Sequence, residues 1–307
     1  MDFLYFLQGL RTPWLDAVMS ALTNMGGELV FLVVALTIFW CRDKRQGYYM
    51  LSVGFLGTLF NQFLKITCRI PRPWVRDPNF PIVESARAEA TGYSFPSGHS
   101  TSSVGTFGVI ATEGKRRWVR LTAVALCFLI PFTRLYLGVH TPADVLVGSA
   151  IPLFCIIALR PCFYHKDGAL MPWLLGAMAM LAAIYVAYLE FFPFPADTDP
   201  TNYAEAVKNS YTLLGAVAGV LVVWFVDRKR DFSTEAPLPA QILKTVLGLI
   251  LVLAVKEGLK YPLEPIFGGH MIARAIRYFA VVIFAGVLWP MTFPRLAALG
   301  RKEDVKK

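Results

Sequence analysis

Charge is scarce in this chain: Asp, Glu, Lys and Arg supply 17% of its 307 residues, against roughly 25% in a soluble globular domain. The five cysteines, at 41, 68, 127, 155 and 162, make no CxxC pair and no zinc spacing. That excludes a zinc finger or a dithiol redox motif and leaves small hydrophobes or free thiols. No carboxylate cluster suits Mg²⁺, and no internal repeat is evident. The N-terminus lacks the basic start and small-residue cleavage site of a signal peptide. The basic residues are scattered through short loops rather than gathered in a stripe, which speaks against nucleic-acid binding.

Apolar sequence is abundant. Hydrophobic residues make up 56% of the chain, and the mean hydropathy is +0.52. A membrane span needs about 20 mostly apolar residues. Nine segments are candidates, centred near 27–41, 47–66, 99–112, 118–135, 143–159, 170–192, 209–226, 240–257 and 274–293; the third is short and begins polar. Residues 1–26 form two short amphipathic pieces instead, the second opened by Pro13 with Thr12 as its cap. If every segment crosses once, CRDKRQ (41–46), EGKRRWVR (113–120), RPCFYHK (160–166), DRKRD (227–231) and the C-terminal tail share one side. Together they hold 17 of the 30 Lys and Arg. The positive-inside rule makes that side cytoplasmic, with the N-terminus outside. The expected architecture is an all-α polytopic membrane helix bundle.

The opposite side collects unusual chemistry. In PSGH (96–99), Ser97 caps a helix starting at Gly98. Helix N-termini bind phosphate through free N–H groups and the dipole, and a glycine allows close approach. His99 would stand beside that anion, able to exchange a proton near neutral pH. Taken alone, a Ser-Gly turn before a helix is common. In HTPAD (140–144), Asp144 suits a first-turn capping carboxylate. It equally suits a partner that fixes the His140 tautomer and frees the other nitrogen as a nucleophile. Arg134 follows a long apolar run and needs an anion or water; phosphate fits its planar fork. Lys65 ends an apolar helix, where snorkelling is the ordinary explanation. Arg72 sits between prolines in the rigid turn RIPRPW.

Three stretches together, KITCRIPRP (65–73), PSGH (96–99) and TRLYLGVHTPAD (133–144), resemble the type 2 phosphatidic acid phosphatase superfamily of integral membrane lipid phosphatases. The resemblance implies His140 as a nucleophile forming a phosphohistidine, Asp144 orienting it, and His99 protonating the leaving group. It implies that Lys65, Arg72 and Arg134 hold phosphoryl oxygens, with Ser97 and the Gly98 amide completing the cradle, and that no metal or other cofactor is needed. Thr133 stands where the family often has serine. The shared core resembles six helices, so residues 1–26 are expected as an amphipathic segment, 27–192 as that core, and 193–307 as an extension of about three helices and a cytoplasmic tail.

The extension carries Lys256, Lys260, His270, Arg274 and Arg277, possible secondary substrate contacts that can equally pair with Glu257 and Glu264 or anchor helix ends. Gly268-Gly269 is expected as a hinge or helix start. The expected activity is hydrolysis of a lipid phosphate by a multi-pass protein of the cell (inner) membrane, with its site on the non-cytoplasmic face. The partners are the lipid substrate and membrane lipids, with the oligomeric state open. Sphingosine-phosphate and dolichyl-diphosphate phosphatases carry similar second and third motifs. A polyprenyl diphosphate phosphatase, a lipid transporter and a non-catalytic phospholipid-binding protein are the alternatives.

Overall fold

A computed structural model describes residues 1–165, 168–230 and 232–298. Lys166, Asp167, Asp231 and the basic tail from 299 onward lie outside the described residues. The chain is helical, with no strand among the described residues. The helices are α1 (Asp2–Gly9), α2 (Pro13–Asn24), α3 (Glu28–Cys41), α4 (Lys44–Cys68), α5 (Pro73–Arg76), α6 (Gly98–Glu113) and α7 (Arg117–Tyr136). They continue as α8 (Pro142–Tyr164), α9 (Met171–Phe191), α10 (Pro200–Arg230), α11 (Leu238–Gly258), α12 (Lys260–Ile266), α13 (Ile272–Ile283) and α14 (Phe293–Ala298).

Among the described residues, six stretches are long and apolar enough to cross a membrane: α7, α8, α9, α10, Leu238–Ile266 and Ile272–Ala298. A seventh arises if α2 and α3, bent by 44°, count as one span. The protein is therefore a multi-pass membrane helix bundle. Nine crossings were expected, and the two remaining segments are α4 and α6. The first is 25 residues with charge at both ends, and the second is only 16 residues, studded with Ser, Thr and Gly. Both carry candidate site residues, and polar lining dilutes their hydropathy.

The chain forms two compact units. One comprises Met1–Leu32, Met50–Pro161 and Ala187–Asn209; the other comprises Val33–Tyr49, Cys162–Val186 and the chain from Ser210 onward. In the first unit, α6 lies along α7, and α1 and α2 also pack on α7. Thr12 caps α2 by accepting from the Leu15 amide at 3.3 Å, with Pro13 opening the helix. A small core joins Leu4 of α1, Phe80, Ile82, Ala86 and Ala90 of the 77–97 loop, and Tyr136, Leu137 and Val139. Arg11 adds donors to the Tyr136 carbonyl (2.9 Å) and the Pro81 carbonyl (2.7 Å), and the Tyr136 hydroxyl donates to Asp16 at 2.7 Å. The N-terminal pair of helices thus braces the turn that carries His140.

The stretch between the candidate segments 170–192 and 209–226 is not all loop, for α10 begins at Pro200. Asp199 caps it, accepting from the Asn202 amide at 2.8 Å, and a proline suits the first helical position. In the second unit, Trp40 Nε1 donates to the Ala285 carbonyl at 2.9 Å and Trp289 Nε1 to the Lys244 carbonyl at 3.1 Å. Lys44 pairs with Asp227 at 2.8 Å. Gly268 and Gly269 both adopt positive φ and finish α12 rather than open a helix. Their amides reach back to the Pro265 carbonyl at 3.2 Å and the Glu264 carbonyl at 2.9 Å, the paired closure of a helix C-terminus.

Candidate active site

One cavity of about 290 Å³ opens within the first unit, and Lys65, Arg72, Gly98, His99 and His140 all line it. They arrive from the last turn of α4, the 69–72 turn, the first turn of α6 and the α7–α8 turn. Residues separated by up to 75 positions in sequence therefore share one wall.

The start of α6 is built as its sequence suggests. Ser97 Oγ accepts from the Ser100 amide at 3.3 Å and from Ser100 Oγ at 2.9 Å. A Cβ added at Gly98 would meet nothing within 4 Å, so its backbone is open to a ligand. Ser97 itself is fully buried and outside the cavity lining. Its amide donates to the Asp144 carbonyl at 2.9 Å, which ties the start of α6 to the start of α8.

His140 lies between Arg72 and Asp144. Arg72 Nη1 lies 2.9 Å from Nε2, and Asp144 Oδ2 lies 3.4 Å from Nδ1. A guanidinium can only donate. Nε2 therefore accepts, and the ring proton belongs on Nδ1, which lies 3.4 Å from Asp144 without a hydrogen-bond partner among the described residues. Burial first, and then the charges of Arg72, Arg134 and Lys65, hold the His140 imidazolium well below the ordinary histidine range. Asp144 caps the start of α8: it accepts from Ser94 Oγ and, at 2.7 Å, from the Thr141 amide, while Thr141 Oγ1 accepts from the Asp144 amide at 3.4 Å.

The basic side chains are aimed by backbone. Lys65 Nζ donates to the Tyr93 carbonyl, and Arg72 donates to the carbonyls of Gly92 (3.0 Å), Thr91 and Val139 (3.1 Å). Burial, and then Arg134, push the Arg72 guanidinium below its usual range; a bound anion would relieve both. Arg134 is completely buried. Its Nη1 donates to Thr23 Oγ1 at 2.8 Å, while Nε and Nη2 have no hydrogen-bond partner among the described residues. Buried polar groups are nearly always paired; Arg134 does not itself line the cavity.

Sequence reasoning passed over Glu89, which stands 3.0 Å from His99 Nε2. It also missed Thr23, Tyr93 and Ser94, which aim Arg134, Lys65 and Asp144. Their only sequence signal is membership of polar stretches flanking the motifs. The extension residues have local partners instead. Arg274 Nε donates to Thr212 Oγ1 at 2.7 Å, His270 Nδ1 accepts from the Ile272 amide at 3.1 Å, and Arg277 is buried with its guanidinium 5.3 Å from the Tyr278 ring. Neither these three nor Lys260 lines the cavity.

Residues 44–167 match the family model described as the PAP2 superfamily, and 211–302 match that of a PAP2 superfamily phosphatase, transmembrane extension. The chain is 29% identical to phosphatidylglycerophosphatase B of Bacillus subtilis, over 49% of this chain and 76% of that protein. It is 30% identical to a probable sphingosine-1-phosphate phosphatase of Dictyostelium discoideum, over 70% of this chain and 55% of that protein. It is 27% identical to lipid A 4'-phosphatase of Bacteroides thetaiotaomicron, over 49% of this chain and 70% of that protein. No solved structure matches the chain.

Proposed function

From a chain that belongs to the PAP2 superfamily, we infer an enzyme that hydrolyses a membrane lipid phosphate through a phosphohistidine on His140. The observation that carries the reading is the His140 ring, seated between Arg72 and Asp144 with its Nε2 lone pair turned toward a donor.

The chemistry follows from that geometry. An arriving phosphoryl group competes for Arg72, whose donation shifts from Nε2 to a phosphoryl oxygen. The freed lone pair of Nε2 attacks phosphorus, and the bond from phosphorus to the lipid oxygen breaks. Asp144 stabilises the positive charge that develops on the ring. Burial and then the charges of Arg134, Arg72 and Lys65 hold His99 neutral; a bound phosphate's negative charge offsets those cations, so that His99, beside Glu89, carries the proton it gives to the departing alkoxide. A water then attacks phosphorus and gives a proton to His99, the phosphorus–Nε2 bond breaks with its electron pair returning to Nε2, and inorganic phosphate leaves. Lys65, Arg72, Arg134 and the Gly98 amide bear the equatorial charge, since positioned cations and backbone donors stabilise a transferring phosphoryl group. Every step uses side chains of this chain alone, and among the described residues no three His, Cys, Asp or Glu converge as metal ligands. We propose the non-cytoplasmic face for the site, because the basic loops lie at the opposite ends of the helices.

Phosphate release by purified protein in detergent tests the reading across a panel of lipid phosphates. His140→Ala should abolish turnover, and excess EDTA should leave the wild-type rate within about twofold, since no divalent ion supplies charge here. Sustained release by His140→Ala would remove the nucleophile, and a strict divalent-metal requirement would overturn the metal-independent mechanism.

A further inference from the structure

Two stretches of backbone aim the basic groups and the nucleophile. In the 77–97 loop, the carbonyls of Thr91, Gly92 and Tyr93 hold Arg72 and Lys65. The Ser94 amide fastens that part of the loop to the Ile70 carbonyl at 2.8 Å. In the α7–α8 turn, the Val139 carbonyl accepts from Arg72 Nη1 at 3.1 Å, and His140 follows it. Turn and loop share the small apolar core and a backbone bond from the Val83 amide to the Leu137 carbonyl at 3.1 Å. Apolar burial is non-directional. It holds the two stretches together and leaves their register open.

The N-terminal stretch RTPWLD (11–16) supplies the direction. Arg11 Nε donates to the Tyr136 carbonyl at 2.9 Å and Nη1 to the Pro81 carbonyl at 2.7 Å, so one planar fork joins turn and loop. Asp16 accepts from the Tyr136 hydroxyl at 2.7 Å. Tyr136 is thus gripped at its backbone and at its far end. The start of α2 spaces the two grips: the Asp16 amide donates to the Thr12 carbonyl at 2.9 Å and the Leu15 amide to Thr12 Oγ1 at 3.3 Å. Arg11 Nη2 is buried without a hydrogen-bond partner among the described residues. It lies against Gly138, where an added Cβ would stand 2.6 Å from it and φ is +79°. Residue 138 must be glycine on both counts. An apolar side chain in place of Arg11 could fill the space, but it would fix neither carbonyl. Arg11, Asp16 and Tyr136 all stand outside the cavity lining, so their effect on the reaction passes through the turn.

We propose that Arg11, with Asp16, is a positioning residue for the nucleophile, setting the turn against the loop so that His140 Nε2 meets the phosphoryl group. This rests on the phosphatase reading above. Tyr136 lies three residues before Val139. The Arg72 Nη1 that binds the Val139 carbonyl also lies 2.9 Å from Nε2. A shift of the turn is therefore a shift of the attacking nitrogen, and a misplacement of about 1 Å can cost about 100-fold in rate. Lys65 and Arg72 keep their loop carbonyls, and the loop keeps its bond to Ile70, when Arg11 is lost. Phosphate binding persists while attack slows, so the loss falls on kcat and spares KM.

The test measures kcat and KM for a lipid phosphate in detergent, with the nitrogen-15 spectrum of labelled histidine and the thermal midpoint alongside. Arg11→Met keeps an aliphatic stem beside Phe80, whose ring the guanidinium covers at 5.6 Å, and removes the fork. Its kcat should fall by about tenfold or more with KM within about twofold. The His140 Nε2 resonance should move as the ring leaves its Arg72 donor. Arg11→Lys restores the charge without the fork and should recover little of the rate. Tyr136→Phe deletes only the hydroxyl that Asp16 receives, and should lower kcat several-fold in a folded protein. A kcat within about twofold of wild type for both Arg11→Met and Tyr136→Phe would overturn the proposal, whatever their thermal stability. A lowered kcat with an unmoved His140 resonance would overturn it too, since the loss would then arise elsewhere. If folded wild-type protein releases phosphate from no lipid phosphate, the phosphatase reading falls, and the positioning role with it.

Discussion

His140 concentrates the residue-scale argument. Its neutral form is favoured by burial and by three neighbouring cations, so its folded-state pKa lies below the ordinary value of about 6.5. The resulting stability is fully present above that value and is lost as pH falls through the folded pKa. Nitrogen-15 NMR of labelled histidine should show a neutral Nδ1–H ring at pH 7 that titrates well below pH 6.5. Arg72→Gln should move that titration upward by removing the nearest cation. A ring already protonated at pH 6.5 in the wild type would contradict the assigned tautomer. Thr23 matters at the same scale, since it is the partner of the Arg134 Nη1 group. Thr23→Val keeps the shape and removes the acceptor. A hydrogen bond to a buried charge is worth about 1.5–3 kcal/mol, so kcat/KM should fall at least about tenfold, with Thr23→Ser restoring most of it. An unchanged kcat/KM would show that Arg134 needs no brace.

At the scale of elements, the site depends on how closely α8 approaches the start of α6. A Cβ on Gly148 would lie 2.6 Å from the Ser97 carbonyl oxygen and 3.1 Å from its amide nitrogen. Backbone cannot swing aside as a side chain can, and such overpacking costs about 1–3 kcal/mol. Gly148→Ala should therefore lower thermal stability in detergent and depress phosphate release by shifting Gly98 and His99. Gly105→Ala is the control, because its Cβ would make ordinary contacts with Pro152 and Val53 at 3.6 and 3.7 Å. Equal behaviour of the two variants would remove the close approach as a determinant of the site. The helix starts show why elements were readable. Thr12-Pro13 and Ser97-Gly98 behaved as caps, and Asp199-Pro200 carries the same signal one loop later. It went unread because the apolar run that draws attention begins only near residue 209, while the first turns of α10 are polar where they line the cavity.

For the whole molecule, the bundle was legible because a bilayer demands length and apolarity that composition reveals directly. Span number was less so. Helices that line a polar cavity relax the hydropathy rule, and α4 and α6 do this. Orientation is open to test through Cys68, the one exposed cysteine of the five, three residues beyond Lys65. A membrane-impermeant maleimide added to intact cells should label Cys68 from the non-cytoplasmic side, with Cys68→Ser abolishing the signal. Labelling of Cys68 only in inverted membrane vesicles would reverse the assigned topology.

The amino-acid sequence by itself determined the membrane bundle, the three polar stretches and the candidates Lys65, Arg72, His99, Arg134, His140 and Asp144, because periodicity, caps and motif spacing are local properties. Tertiary structure alone decided that Arg72 donates to His140, that Thr23 and Glu89 serve Arg134 and His99, and that Asn61 and the first turns of α10 join the same cavity. The hydrogen-bonded pairs among them lie between 10 and 111 residues apart. A hydrogen bond acts over about 3 Å of space, and separation along the chain carries no trace of it.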